Sequence, residues 1–149
     1  MKTYCVILSR TFPVTHTRAG EPTEFRTSFV RRKKIHTIRG NFPLWEKRFE
    51  EIQKGEACLA IRQWSGRPYW SPMIEIDRLT RDDGIGLQQL RFTLDGDNNR
   101  IAIIDNVYFP SLCVLADNDG LLFNDWNEWF SGSQCSQPMA IIHFTEYRY

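Results

Sequence analysis

The sequence lacks most of the signals that announce common chemistries. Its four cysteines, Cys5, Cys58, Cys113 and Cys135, are scattered, with no CxxC or CxxxC spacing. Zinc and dithiol redox sites need thiols paired on one turn, so neither is signalled, and four distant thiols behind no secretory leader make no disulfide framework. We expect four reduced thiols and no metal site. No apolar run approaches the roughly 18 residues of a membrane-spanning helix, and "MKTYCVILSR" has one lysine and a short alternating run, unlike a signal peptide. The expectation is a cytoplasmic protein without a membrane partner. GxGxxG, GxxxxGK[ST] and any Ser-His-Asp order are missing too, so dinucleotide, NTPase and serine-hydrolase readings have no foothold and no cofactor is expected. Net charge is nearly absent: nineteen Lys plus Arg face eighteen Asp plus Glu, a formal +1. The molecule as a whole is therefore not committed electrostatically to nucleic acid, and any attraction must be local.

What the chain does have is apolar mass. Hydrophobic residues make up 42% of 149, with ten Phe and five Trp, ample to offset chain entropy in one domain spanning 1–149. "TYCVILSR" alternates as an opening strand, followed by the loop "TFPVTHTRAGEPTEF"; the basic run after it alternates Phe29, Arg31 and Lys33 against Val30, Arg32 and Lys34, which predicts an extended start. "GNFPLWEKRFEEIQKGE" is the clearest helix: Asn41 caps, Pro43 fits the first turn, Trp45, Phe49 and Ile52 repeat on one face, and Gly55 ends it. Two hairpins follow, one around "SGRP" and one around "DGDNN". "PSLCVLADNDG" and "FNDWNEWFSG" predict short helices, the second with Asn124 as candidate cap, and "MAIIHFTEYRY" a closing strand. Five or six strands and two or three helices without a βαβ rhythm predict an α+β fold, mainly an antiparallel small β-barrel with flanking helices.

Charge is patterned even though it sums to little. Between Arg26 and Arg39 lie Arg31, Arg32, Lys33 and Lys34 with no acid, while aspartates crowd the second half. Such a run is either a solvated face or a grip for phosphates. Trp64, Tyr69 and Trp70 flank the first hairpin turn, where flat rings either pack in the core or stack on a base. Thr37 and Arg39 share a face if the segment is a strand, and Lys34 points the other way unless the chain bulges or turns. His36 and His143 are possible ligands or bases, but lone histidines are more often hydrogen-bonded structural residues; His16 lies in a loop. Asp117, Asp119 and Asp125 surround the start of the last helix, where its dipole favours carboxylates, although one could instead face the basic run.

Four segments, "KKIHTIRG", "IQKGEACLAIRQWSGRPY", "LADNDGLLFNDWNEWF" and "MAIIHFTEYRY", in this order, resemble the ASCH domain family of the PUA-like superfamily. The resemblance covers residues 31–78 and 112–149 and leaves the 79–111 segment as a lineage-specific middle. It implies a small barrel that binds RNA or a nucleotide in a cleft, lined here by Arg31, Arg32, Lys33, Arg39, Trp64 and Tyr69. Some small family members are amidohydrolases that remove the acetyl group of N4-acetylcytidine with a Lys, a Thr three residues later and an acid before the last helix. On this chain the motif supplies Lys34, Thr37 and Asp119 as catalytic candidates. The enzymes carry glutamate at the acid's place, so Asp119 is shorter by about 1.5 Å of reach. RNA or nucleotide binding leads, with amide hydrolysis as the alternative.

Overall fold

The structure, a computed structural model, describes residues 1–132 and 137–149. Among them are seven strands and four α-helices: β1 (Lys2–Ile7), α1 (Phe25–Val30), β2 (His36–Arg39), α2 (Phe42–Gln53), β3 (Ala57–Trp64), β4 (Met73–Leu79), β5 (Gly86–Leu94), β6 (Arg100–Ile104), α3 (Leu112–Asn118), α4 (Phe123–Trp129) and β7 (Met139–His143). The class is α+β. One sheet has the order β1-β3-β4 and the other β2-β7-β5-β6. β1 runs parallel to β3, Lys2 beside Ala57 through Ile7 beside Arg62, whereas the other pairings are antiparallel. A parallel neighbour needs a long crossover, and α1, β2 and α2 supply it. No helix of the described residues is long and apolar enough to cross a membrane.

Strand β7 shows how the sheets share the interior. Successive side chains point to opposite faces, so Ala140 and Ile142 enter one core with Val6, Leu59 and Phe49, while Ile141 enters a second with Leu90, Phe92, Leu115 and Trp126. Helix α2 follows its pattern: Asn41 Oδ1 accepts from Leu44 N, Trp45, Phe49 and Ile52 are buried, and Gly55 follows at φ +79°. Each of those three buried side chains stabilises by about 1.5–3 kcal/mol. Cys5, Cys58 and Cys113 are free thiols; Cys135 lies outside the described residues.

Four expectations need correction: among the described residues the strands number seven, not five or six, the short β2 being completed by its pairing with β7. The segment expected to start extended is helical at Phe29 and Val30, the end of α1, because Phe25 is buried and Phe29 packs against the first core; that anchoring outweighs weak local propensity. Its addition brings the helices to four, not two or three. Asn124 does not cap the last helix: Leu122 holds the N-cap position and makes no side-chain bond there.

Candidate functional site

The basic run turns inward at its last member. Arg32 takes a left-handed φ of +59°, and the amides of Lys33 and Lys34 both donate to Ser28 O, at 2.8 and 3.0 Å. Ile35 N then donates to Asn118 O at 2.9 Å, which pins the segment against the end of α3 before β2 begins. Lys34 therefore sits on a turn, not on the strand, and the alternation that would aim it away from Thr37 does not apply. The next contact depends on Gly120. Its φ is +79°, and a Cβ there would lie 2.9 Å from Lys34 Cβ and 3.3 Å from Ser28 Cβ, so only glycine lets the two segments close without displacement.

The result is a buried ion pair. Lys34 Nζ donates to Asp119 Oδ1 at 2.6 Å and to Asp119 O at 2.8 Å, with the two side chains 1% and 4% exposed. Trp126 Nε1 donates to Asp119 Oδ2 at 3.1 Å, and the Phe25 ring covers Nζ at 4.0 Å from its centroid. Asp119 reaches the lysine although it is a methylene shorter than glutamate. Burial holds the Lys34 ammonium below the ordinary lysine range, with Arg39 adding to it and Asp119 opposing it. For Asp119, burial pushes upward, but the charge of Lys34 and the polar ring of the nearby His36 outweigh it and keep the carboxyl low. The carboxylate is thus the firmer charge of the pair, and the lysine proton the looser one.

Thr37 and Arg39 complete the arrangement from β2. Arg39 Nη1 donates to Thr37 Oγ1 at 2.7 Å and to Ile38 O at 3.0 Å, while Nη2 donates to Ile7 O at 2.6 Å. The Thr37 hydroxyl accepts from the guanidinium, so its own hydrogen remains available to a ligand. Burial lowers the Arg39 pKa, yet a guanidinium keeps its charge. Lys34, Thr37, Arg39 and Asp119 all line one cavity of about 30 Å³, together with Phe25, Trp129 and Ser9. That volume has room for a water molecule or two and is too small for a nucleobase.

The other candidates lie elsewhere. Arg31, Arg32 and Lys33 are exposed; Arg32 borders a larger groove of about 670 Å³ between α1, β4 and the segment after β7, which Lys34 also lines. Trp64 is half-buried and Tyr69 is exposed, their rings 5.1 Å apart at the tip of the β3–β4 hairpin. Neither lines the small cavity. Of the acids, Asp117 is exposed and Asp125 pairs with Arg18 at 2.6 Å, which leaves Asp119 as the carboxylate at the lysine.

Sequence reasoning did not foresee the histidine network behind the pair. Register sets His36 beside His143, both fully buried, with rings 5.6 Å apart. His36 Nε2 shares a hydrogen bond with Tyr149 Oη, and His143 Nε2 with Gln88 Oε1 at 2.9 Å. His36 Nδ1 lies 3.8 Å from Asp119 Oδ1. Burial lowers both imidazoles, His143 to about 2 with help from His36 and Arg148, so both are neutral. His16 is buried as well, its Nε2 at 3.1 Å from Asp125 O. Trp126 carried a usable signal, a tryptophan seven residues after Asp119, but its spacing reads first as core. Among the described residues no three His, Cys, Asp or Glu side chains are grouped to hold a metal ion. Comparison with protein-family models, curated proteins and solved structures finds no match.

Proposed function

We propose that this chain is an ASCH-type domain of the PUA-like superfamily, its two sheets forming a small β-barrel, that hydrolyses the exocyclic amide of an acylated nucleoside such as N4-acetylcytidine. The barrel reading draws support from a core filled by both sheets and from the Arg39 bond to Ile7 O, which ties β2 to β1. The observation that carries the activity is the convergence of Lys34, Thr37, Arg39 and Asp119 on one water-sized cavity.

The chemistry follows from the donor count. A neutral amine has two N–H groups, and Asp119 offers two acceptors, its backbone oxygen and Oδ1. The lone pair of that amine is then free to take a proton from water as the water oxygen bonds to the acyl carbon. Burial favours the neutral amine. Thr37 and Arg39 donate to the oxyanion that develops on the carbonyl oxygen. The proton passes from Lys34 through Asp119 to the departing nitrogen, the C–N bond breaks, and acetate and cytidine leave. The cavity has room for the attacking water, so the substrate amide and its ring lie at its mouth.

Incubation with N4-acetylcytidine, followed chromatographically for cytidine, tests this. Activity in the parent that disappears in Lys34→Ala supports it, and an inactive parent sinks it. A second reading, an RNA- or nucleotide-binding module without chemistry, is favoured by one observation: both Asp119 carboxylate oxygens already hold partners, while Arg31, Arg32 and Lys33 stand exposed without an acidic partner among the described residues. Oligonucleotide binding by an inactive parent would select it.

A further inference from the structure

Behind the ion pair, three polar side chains fix where one proton sits. Asn118 Nδ2 donates to Tyr149 Oη at 3.1 Å, and the other partner of that oxygen is His36 Nε2. A phenol has one hydrogen, and burial raises the Tyr149 pKa, so the hydroxyl keeps it at neutral pH. With the amide already donating to the oxygen, that hydrogen goes to His36 Nε2, which accepts it. His36 is fully buried and burial keeps it neutral. A neutral imidazole with Nε2 as acceptor carries its proton on Nδ1. Nδ1 has no hydrogen-bond partner among the described residues and lies 3.8 Å from Asp119 Oδ1.

The neighbouring histidine is fixed the other way. Gln88 Nε2 donates to Asp105 Oδ2 at 3.0 Å and to Tyr149 O at 3.2 Å, so Oε1 is the end turned to Tyr149 N, which donates to it at 2.9 Å. His143 Nε2 lies 2.9 Å from the same Oε1 and therefore donates, which leaves its Nδ1 bare. Rings 5.6 Å apart on paired strands thus hold opposite tautomers, each set by a neighbouring amide.

We propose that His36 is a positioning residue for Asp119, held by Asn118 and Tyr149 as the tautomer whose Nδ1–H faces the carboxylate. At 3.8 Å the contact is electrostatic, not a hydrogen bond. Its effect is greatest in the state in which Lys34 is neutral. The carboxylate then has no ammonium beside it, and its buried neighbours are the Lys34 amine, the Trp126 N–H and the positive edge of this imidazole, with the Arg39 charge further off. The other tautomer would turn a lone pair toward the anion and repel it. The Nδ1–H form therefore favours an ionised carboxylate next to a neutral amine, the combination that base chemistry at Lys34 requires. That use rests on the hydrolysis reading, whereas the tautomer and its hold on the ion pair do not.

Long-range proton–nitrogen NMR correlation of the imidazoles at neutral pH tests the tautomer; the chain has three histidines, and His36→Phe and His143→Gln assign them. The parent should show a protonated Nδ1 and a bare Nε2 for His36, and the reverse for His143. Asn118→Asp exchanges a donor for an acceptor at the same size, draws the Tyr149 hydrogen to itself and moves the His36 proton to Nε2, an outcome that packing alone does not produce. The effect on the ion pair is read from the Lys34 side chain by carbon NMR. His36→Phe keeps a ring beside His143 but removes the N–H, so Lys34 titrates at higher pH, the carboxylate now depending on the ammonium. Turnover of N4-acetylcytidine falls about 10–100-fold in kcat with KM nearly unchanged, and His36→Asn, whose amide places an N–H near the position of Nδ1, recovers part of both. Three results overturn the positioning role: a parent His36 protonated on Nε2, an Asn118→Asp variant whose His36 proton stays on Nδ1, or a Lys34 titration unmoved in His36→Phe. A parent with the expected tautomer and a shifted Lys34 titration but no turnover rejects the hydrolase alone. Turnover with His36 in the other tautomer rejects the positioning role alone, and failure of both rejects both.

Discussion

Replacing Asp119 with asparagine strips a fully buried amine of its anionic partner while keeping the size of the side chain. Lys34 then either stays charged, at the 3–5 kcal/mol typical of a broken buried pair (about that range), or sheds its proton. Shedding from an ordinary value of 10.5 costs about 4.8 kcal/mol at pH 7 and only about 2 kcal/mol at pH 9. The destabilisation has that ceiling and shrinks as the medium grows more basic. The sign follows from proton counting: the neutral lysine of the variant binds no proton, the unfolded chain binds one below 10.5, and the parent binds one until its own Lys34 titrates. Relative to the parent, the variant therefore gains about 1.4 kcal/mol per pH unit, and the gain stops at the pH where Lys34 of the parent loses its proton. Urea unfolding of both proteins from pH 7 to 9 reads this directly, with the break reporting Lys34 itself. Lys34→Met should not share the slope, because there a buried carboxylate must be protonated and the cost rises with pH. A constant difference between parent and Asp119→Asn across the range shows Lys34 keeping its proton even without the carboxylate, and refutes the looser lysine proton on which the base chemistry depends.

Other outcomes follow from the same geometry. Gly120→Ala places a methyl 2.9 Å from Lys34 Cβ at a positive φ, so thermal unfolding should show a loss of about 1–3 kcal/mol, accompanied by loss of hydrolysis. Trp126→Phe keeps an aromatic in the second core but removes the N–H on the carboxylate, a loss of about 1.5–3 kcal/mol by chemical denaturation. His143 is pushed from 6.5 to about 2, so its contribution is complete above pH 6.5 and drains away on acidification; at pH 5 the parent should have lost about 2 kcal/mol, a loss His143→Gln lacks in the same titration. If the exposed run meets phosphates, Arg31→Ala/Arg32→Ala/Lys33→Ala should flatten the salt dependence of oligonucleotide binding, and an unchanged slope removes the run from the interface.

Local pattern alone was enough for much of the scaffold. Trp45, Phe49 and Ile52 define a helix face wherever they occur, because 3.6 residues per turn brings them together, and the two hairpins follow from period-two alternation broken by turn residues. The resemblance to the ASCH family singled out Lys34, Thr37 and Asp119 before their neighbours were known. What the sequence could not contain was their environment. Lys34 and Asp119 are 85 residues apart, and whether such a pair is solvated or sealed is a property of the packed chain, where a charge out of water is tolerated only opposite another. The same holds for the aromatics: Trp126 and Tyr69 look alike as letters, yet one is in the core beneath the carboxylate and the other stands in solvent. Helix α1, the meeting of His36 with His143 and the close pass at Gly120 were likewise decided by tertiary contacts, because each depends on partners that local sterics do not specify.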